Sequence, residues 1–370
     1  PRRAVARIDA AAIRHNAGVL AGAAGPARLM AVVKGDGYGH GAASAARAAL
    51  EGGAAALAVA TACEAEALRA AGIGAPLLVL GPLAGEEWER ALAAGAEVTV
   101  WTPEAARRAA AAGATTGRPA RAHLKLDTGM GRLGARPEDV PALADAAQAA
   151  GLQVAGIMTH FACADERAGE NAGFMREQLL RFRGLAAGLR DRFPDALLHA
   201  ANSAATLRAP ETALDMVRCG IALYGCSPFN GDPAENGLRP AMALVSWLAS
   251  VKTLRSRESV GYGRRWRAAR GTRIGLVPVG YADGYARALA EGAEVLVGGR
   301  RVPVVGAVSM DQITVDLGPA GGERVGDEVV LMGRQGDERI LAEELAGVRG
   351  TINYEITCGV GARVPRVAAP

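Results

Sequence analysis

The chain has 370 residues, half of them apolar and 22% charged, with a formal net charge of +4 and a pI near 9.0. That length exceeds one ordinary core and predicts two domains, and no apolar run approaches the ~18–20 residues of a membrane span. The positive charge is arginine scattered among alanines, with no basic cluster interleaved with aromatics, which argues against nucleic-acid binding.

Residues 4–8 alternate weakly, as a short strand does. Asp9 stands where a helix would be capped, with Ile13, Ala17 and Leu20 at helical spacing to about residue 21. The basic start, Pro1 to Asp9, has no apolar h-region behind it, so no secretory signal is expected. A βα rhythm then sets in. Strand-like runs fall at 29–33, 55–60, 77–80, 97–100, 122–126, 154–158, 197–200 and 216–218, with alanine-rich helical stretches such as 42–51, 64–71, 103–112 and 171–189 between them. Eight such strands are what a (β/α)8 barrel requires. A doubly wound sheet would give the same rhythm, but it usually stops near ~6 strands and carries G-x-G-x-x-G, which the glycines after Lys34 do not match.

After Tyr224-Gly225-Cys226-Ser227-Pro228 the texture changes. Residues 229–240 read as a linker, followed by short β-rich segments at 243–251, 272–278, 294–297, 301–305, 312–315 and 328–331. The expected organisation is a (β/α)8 barrel over 9–235 and a mainly β domain over 236–370, joined by the strand at 1–8.

The first barrel strand ends on Lys34, and Gly35-Asp36-Gly37-Tyr38-Gly39-His40-Gly41 follow. A lysine there needs a partner for its amine. A Schiff base to pyridoxal phosphate (PLP) is one answer; a solvated strand-end lysine beside a flexible turn is the other. Barrel active sites lie at the carboxyl ends of the strands. Reading those ends adds Lys125-Leu126-Asp127, Thr159-His160, Asn202-Ser203 and Arg218-Cys219-Gly220. Each has a bland reading alone, His160 as a core histidine and Arg218 as an ion-pair partner, but together they converge on one face.

The second half carries Gly261-Tyr262-Gly263, Gly280-Tyr281-Ala282-Asp283-Gly284-Tyr285 and Ser309-Met310-Asp311-Gln312. A tyrosine between glycine turns can reach into a neighbouring site as a proton carrier. Tyr285 reads instead as a turn tyrosine covering the core. The histidines, His15, His40, His123, His160 and His199, form no metal-ligand spacing, so no metal is expected. No G-x-S-x-G elbow supports a serine hydrolase. Cys63, Cys163, Cys219, Cys226 and Cys358 contain no C-x-x-C pair and read as reduced thiols of a cytoplasmic protein.

These residues, in order along nearly the whole chain, resemble the alanine racemases, PLP enzymes that share their fold with barrel-type ornithine and arginine decarboxylases. The resemblance is carried by Val33-Lys34-Gly35-Asp36-Gly37-Tyr38-Gly39-His40-Gly41, by Lys125-Leu126-Asp127-Thr128-Gly129-Met130-Gly131-Arg132, and by Thr159-His160 and Ala201-Asn202-Ser203. It continues through Val217-Arg218-Cys219-Gly220-Ile221, Gly261-Tyr262-Gly263, Ser309-Met310-Asp311-Gln312 and Asn353-Tyr354-Glu355. It implies that Lys34 bonds PLP, that Tyr38, Ser203, Gly220, Ile221 and Tyr354 hold its phosphate, and that Arg218 faces its ring nitrogen. Arg132 and Met310 would meet the substrate, and Lys125 is often carbamylated in such enzymes. Two bases are implied, Lys34 and Tyr262 of the partner subunit, with His160 linking Tyr262 to Arg218. The resemblance therefore implies a cytoplasmic homodimer with shared sites that interconverts L- and D-alanine and supplies D-alanine for peptidoglycan. A broad-specificity or serine racemase of the same fold is the alternative, since the site residues of these enzymes overlap. Arg218 argues against a decarboxylase, which would place a carboxylate at the ring nitrogen; the β domain argues against a single-barrel PLP-binding protein. Two departures stand out. Gly35 replaces a common alanine, which would loosen the turn by roughly 0.5–1 kcal/mol, and Ala307 replaces a common arginine near the approach to the site.

Overall fold

The computed structural model describes residues 2–166, 169, 171 and 173–369. After the strand β1 (Val5–Ile8), the Asp9 carboxylate accepts from the Ala12 amide at 2.9 Å and caps the helix Ala10–Ala24. Ile13, Ala17 and Leu20 lie on its buried face. The barrel strands follow: β2 (Arg28–Val32), β3 (Ala56–Val59), β4 (Leu77–Val79), β5 (Glu97–Val100), β6 (Arg121–Lys125), β7 (Gln153–Met158), β8 (Leu197–His199) and β9 (Met216–Cys219). All pair in parallel, and β2 pairs with β9 to close the barrel. Strands covered on both faces need continuous apolar runs rather than alternation, and β3, Ala-Leu-Ala-Val, is buried at every position.

Each strand lies within a residue of its sequence expectation. Three helices differ more. Thr61 caps Ala62–Ala70, which starts earlier than 64, and Pro103–Thr116 outruns 112 because Gly117 supplies the left-handed stop. The expected helix over 171–189 is Phe174–Arg190; residue 172 lies outside the described residues.

The second half holds β10 (Met242–Trp247), β11 (Ser250–Leu254), β12 (Ser259–Val260), β13 (Trp266–Arg267), β14 (Thr272–Val277), β15 (Glu294–Val297), β16 (Arg300–Val305), β17 (Ile313–Gly318), β18 (Glu328–Gln335), β19 (Glu338–Ile340) and β20 (Arg366–Ala368). The main sheet runs β11-β14-β17-β16-β15-β18-β10-β1-β20. Thus β1, antiparallel to β10 and parallel to β20, ties the start of the chain to this sheet. The expected strand over 243–251 is two strands. At the break, the Leu248 amide donates to Asp327 O and the Ala249 amide to Leu276 O, which turns the chain from β18, the partner of β10, to β14, the partner of β11. Tyr285 is buried in the core. The β-rich reading contains no helices here; the structure has Ala342–Arg349 and Asn353–Cys358, and the second brings Tyr354 to the barrel.

Candidate active site

Lys34 follows the carboxyl end of β2 and begins a turn that is not the flexible one of the solvated-lysine reading. Gly35, Asp36 and Gly37 adopt φ of 61°, 51° and 63°, and Tyr38 and Gly39 continue at 52° and 84°. This is a left-handed helical turn, costing roughly 1–2 kcal/mol at each non-glycine residue. It is pinned by the Gly35 amide donating to Glu64 Oε1 (2.6 Å) and the Ala42 amide to Asp36 Oδ1 (2.8 Å). The loosening ascribed to Gly35 is therefore reversed: at its positive φ, glycine is the residue this backbone accommodates with least strain. Burial, then the Arg132 charge, pulls the Lys34 amine below the usual lysine range, against Glu64 and Cys358.

Arg218, on β9, is buried. Its Nη2 donates to Thr159 O (2.7 Å), Ala200 O (3.2 Å) and His160 Nδ1 (3.2 Å), and its Nη1 to His199 Nδ1 (2.9 Å). These acceptors are neutral, and burial brings the guanidinium down to about 10. His160 accepts through Nδ1, so its proton sits on Nε2. Burial, with the Arg218 charge beside it, holds this imidazole well below its usual range. Lys125 ends β6 and is buried; burial and the charges of Arg218 and Arg132 lower its amine to about 8, against Asp127. Arg132 lies on the loop after β6. The Asp127 carboxylate closes that loop by accepting from the amides of Gly129 (2.9 Å) and Gly131 (3.1 Å).

On the other wall, Ser203 Oγ accepts from the Gly220 amide (3.0 Å), and Ile221 starts the short 3-10 turn Ile221–Tyr224. The Tyr38 ring packs 5.0 Å from Tyr224 and 6.1 Å from Tyr354. Burial raises the phenols of Tyr38 and Tyr354, which keeps them protonated as hydrogen-bond donors. One cavity of about 500 Å³ is lined by Lys34, Tyr38, Lys125, Arg132, His160, Ser203, Arg218, Gly220, Ile221 and Tyr354.

Tyr262 and Met310 do not line that cavity. They face a different one of about 670 Å³, shared with Ser259 and Ala307. Tyr262 is 77% exposed, held between Gly261 and Gly263, both at positive φ.

Two residues at the Lys34 site escaped the sequence reading. Cys358 lines the cavity from the helix Asn353–Cys358, and no spacing marked it. Glu64 had a signal, the T-x-x-E capping box begun by Thr61. Its carboxylate caps the helix and also takes the Gly35 amide, joining two barrel loops.

A closed (β/α)8 barrel with a lysine amine and a donor-only arginine at its mouth, beside a β domain, is the arrangement expected of the barrel-fold amino-acid racemases. The family model for the alanine racemase N-terminal domain matches residues 8–228, and that for the C-terminal domain matches 241–368. The chain belongs to the alanine racemase family. It is 45% identical over 367 residues to an alanine racemase of Symbiobacterium thermophilum, covering 98% of this chain and 96% of that one. It is 42% identical over 371 residues to an alanine racemase of Mycobacterium avium, covering 98% and 94%. A crystal structure of the alanine racemase from D-cycloserine-producing Streptomyces lavendulae matches with a TM-score of 0.95 at 44% identity, over 100% of this chain and 98% of that one.

Proposed function

We propose that this isomerase interconverts L- and D-alanine with PLP as cofactor, using two bases on opposite faces of the substrate: Lys34 and Tyr262 of the partner subunit. The observation that carries this reading is the separation of the two groups. Lys34 shares a cavity with Arg218 and Arg132, whereas Tyr262 of the same chain is exposed on another face. A head-to-tail homodimer, each β domain covering the other barrel, unites them.

The residues fit PLP. The Lys34 amine is desolvated, the Tyr38 and Tyr354 phenols are protonated donors, and the space between Tyr38 and Gly220 admits no β-carbon. Tyr38, Ser203, Tyr354 and the Gly220-Ile221 backbone would hold the phosphate. Arg218, which can only donate, would meet the ring nitrogen and favour its unprotonated form. When bound, PLP supplies the electron sink that makes the substrate α-proton removable. Arg132 takes the substrate carboxylate, and Met310 of the partner subunit borders the substrate. A neutral Lys34 amine accepts the proton on one face; on the other, Tyr262 of the partner subunit moves it, linked through His160 to the Arg218 charge. The Lys125 amine, lowered to about 8, is set to form a carbamate whose negative charge orients Arg132.

Among the described residues no helix is long and apolar enough to cross a membrane. The enzyme works in the cytoplasm, supplying D-alanine for peptidoglycan. Adding PLP to wild-type protein should produce visible absorbance and alanine racemisation, and Lys34→Ala should show neither. Wild-type protein that stays colourless would remove the cofactor from the account.

A further inference from the structure

Arg218 is the upper end of a buried chain of hydrogen bonds that descends through the barrel. Its Nη1 meets His199 Nδ1 at 2.9 Å, His199 Nε2 meets His123 Nδ1 at 2.8 Å, and His123 Nε2 meets Glu97 Oε2 at 2.6 Å. His123 and His199 are each at most 1% exposed. Glu97 starts β5, at the barrel end opposite the mouth, where its other oxygen accepts from Arg121 Nε at 2.7 Å.

The protons in this chain have one consistent placement. Arg218 can only donate, so His199 Nδ1 accepts. A neutral His199 then carries its proton on Nε2 and donates to His123 Nδ1. His123 in turn carries its proton on Nε2 and donates to Glu97. Glu97 accepts at both oxygens; burial pushes its carboxyl up, but the bonds from His123 and Arg121, with the Arg121 charge, outweigh that and hold it below the usual carboxylate range. The joint between the rings depends on Gly156, where a β-carbon would lie 2.3 Å from His123 Nδ1 and 2.9 Å from His199 Nε2.

We propose that Glu97 and His123 are positioning residues for Arg218: by fixing the His199 tautomer, they keep Nδ1 an acceptor and hold the guanidinium in place. Without the Glu97 acceptor, His123 can move its proton to Nδ1. His199 must then receive at Nε2 and turn an N–H toward the Arg218 N–H. One hydrogen bond is lost, two donors oppose each other, and Arg218 shifts. The effect on turnover rests on the proposed reading that Arg218 faces the PLP ring; the tautomers do not.

The test is nitrogen NMR on full-length protein labelled at its five histidines, with and without PLP, beside alanine racemisation kinetics. Wild-type His123 and His199 should both be neutral with the proton on Nε2. Glu97→Leu should move His199 toward the Nδ1–H form and lower kcat about 10-fold, the scale on which orienting partners act, with KM for alanine little changed. Glu97→Gln, whose amide oxygen still accepts, should keep the tautomers and most of kcat. A wild-type His199 that is cationic or protonated at Nδ1 would overturn the proposal. So would a folded Glu97→Leu with wild-type tautomers, or one with switched tautomers and wild-type kcat. If Glu97→Leu does not fold, the wild-type spectrum and Glu97→Gln decide. Protein with the expected tautomers but no PLP binding or turnover would overturn the reading of Arg218, and with it the positioning role, while leaving the proton placement standing.

Discussion

The Tyr38 hydroxyl lies so close to Gly220 that a β-carbon there would come within 2.2 Å of the oxygen and 2.8 Å of Cζ. The ring cannot retreat freely, because it packs between Tyr224 and Tyr354. Gly220→Ala should therefore push Tyr38 out of the proposed phosphate cradle, weaken PLP binding, and destabilise the fold by about 1–3 kcal/mol, the overpacking scale. A PLP titration and a urea melt measure both. Unchanged PLP affinity would detach this pair from the cofactor.

The left-handed turn at Gly35 gives a second test. A β-carbon at Gly35 has open space, so Gly35→Ala isolates the backbone term from any clash. At φ 61° the change should lower stability by about 1–2 kcal/mol, read as an earlier urea midpoint. An alanine variant as stable as wild type would mean that residue 35 is not held in this conformation.

His40 makes the fold sensitive to acid. It is buried against Tyr224, with Nδ1 near the carbonyls of Gly37 (3.1 Å) and Tyr38 (3.0 Å), and burial lowers it to about 4. The unfolded chain binds that proton near pH ~6.5. Between those values the unfolded state holds more protons, so stability falls as pH drops from ~6.5 toward 4, by about 3 kcal/mol from this residue, and levels off below. His160 and His199, also held low, act in the same direction. His40→Gln should flatten the stability curve in this window. An unchanged slope would contradict the assignment.

Lys125 tests the charge balance of the site. Its amine is buried beside Arg218 and Arg132, so the lysine as a cation opposes the arrangement it supports. Protein equilibrated with carbon-13 bicarbonate should show a carbamate carbon that disappears in Lys125→Ala. That variant should lose roughly 10- to 100-fold in turnover, as expected for an orienting partner. A missing carbamate signal with full activity in Lys125→Ala would remove the modification.

Periodicity made the barrel readable. Strands buried on both faces need short apolar runs, and those runs mark β2 to β9 within a residue. Lys34, His160 and Arg218 were legible because each is a polar residue interrupting such a run at its carboxyl end. The hand of the Lys34 turn was not legible, since alternating glycines permit many conformations and the selection is made by distant partners, Glu64 among them. The chain below Arg218 was hidden for a related reason. Glu97, His123 and His199 are far apart in sequence and meet only because β5, β6 and β8 point side chains into one barrel. The split of 243–251 also depends on long-range pairing, with β18 on one side and β14 on the other.

The central claim, that Lys34 and Tyr262 serve one site from two chains, is tested by mixing two inactive variants. In the proposed homodimer, Lys34→Ala and Tyr262→Phe each remove one base from every site. If sites are shared across the interface, a mixed dimer has one site with both bases and one with neither. After subunit exchange, an equal mixture should recover roughly a quarter of wild-type racemisation, since random pairing makes half the dimers mixed. No recovery, with exchange verified by differently tagged subunits, would contradict the account and return both bases to a single chain.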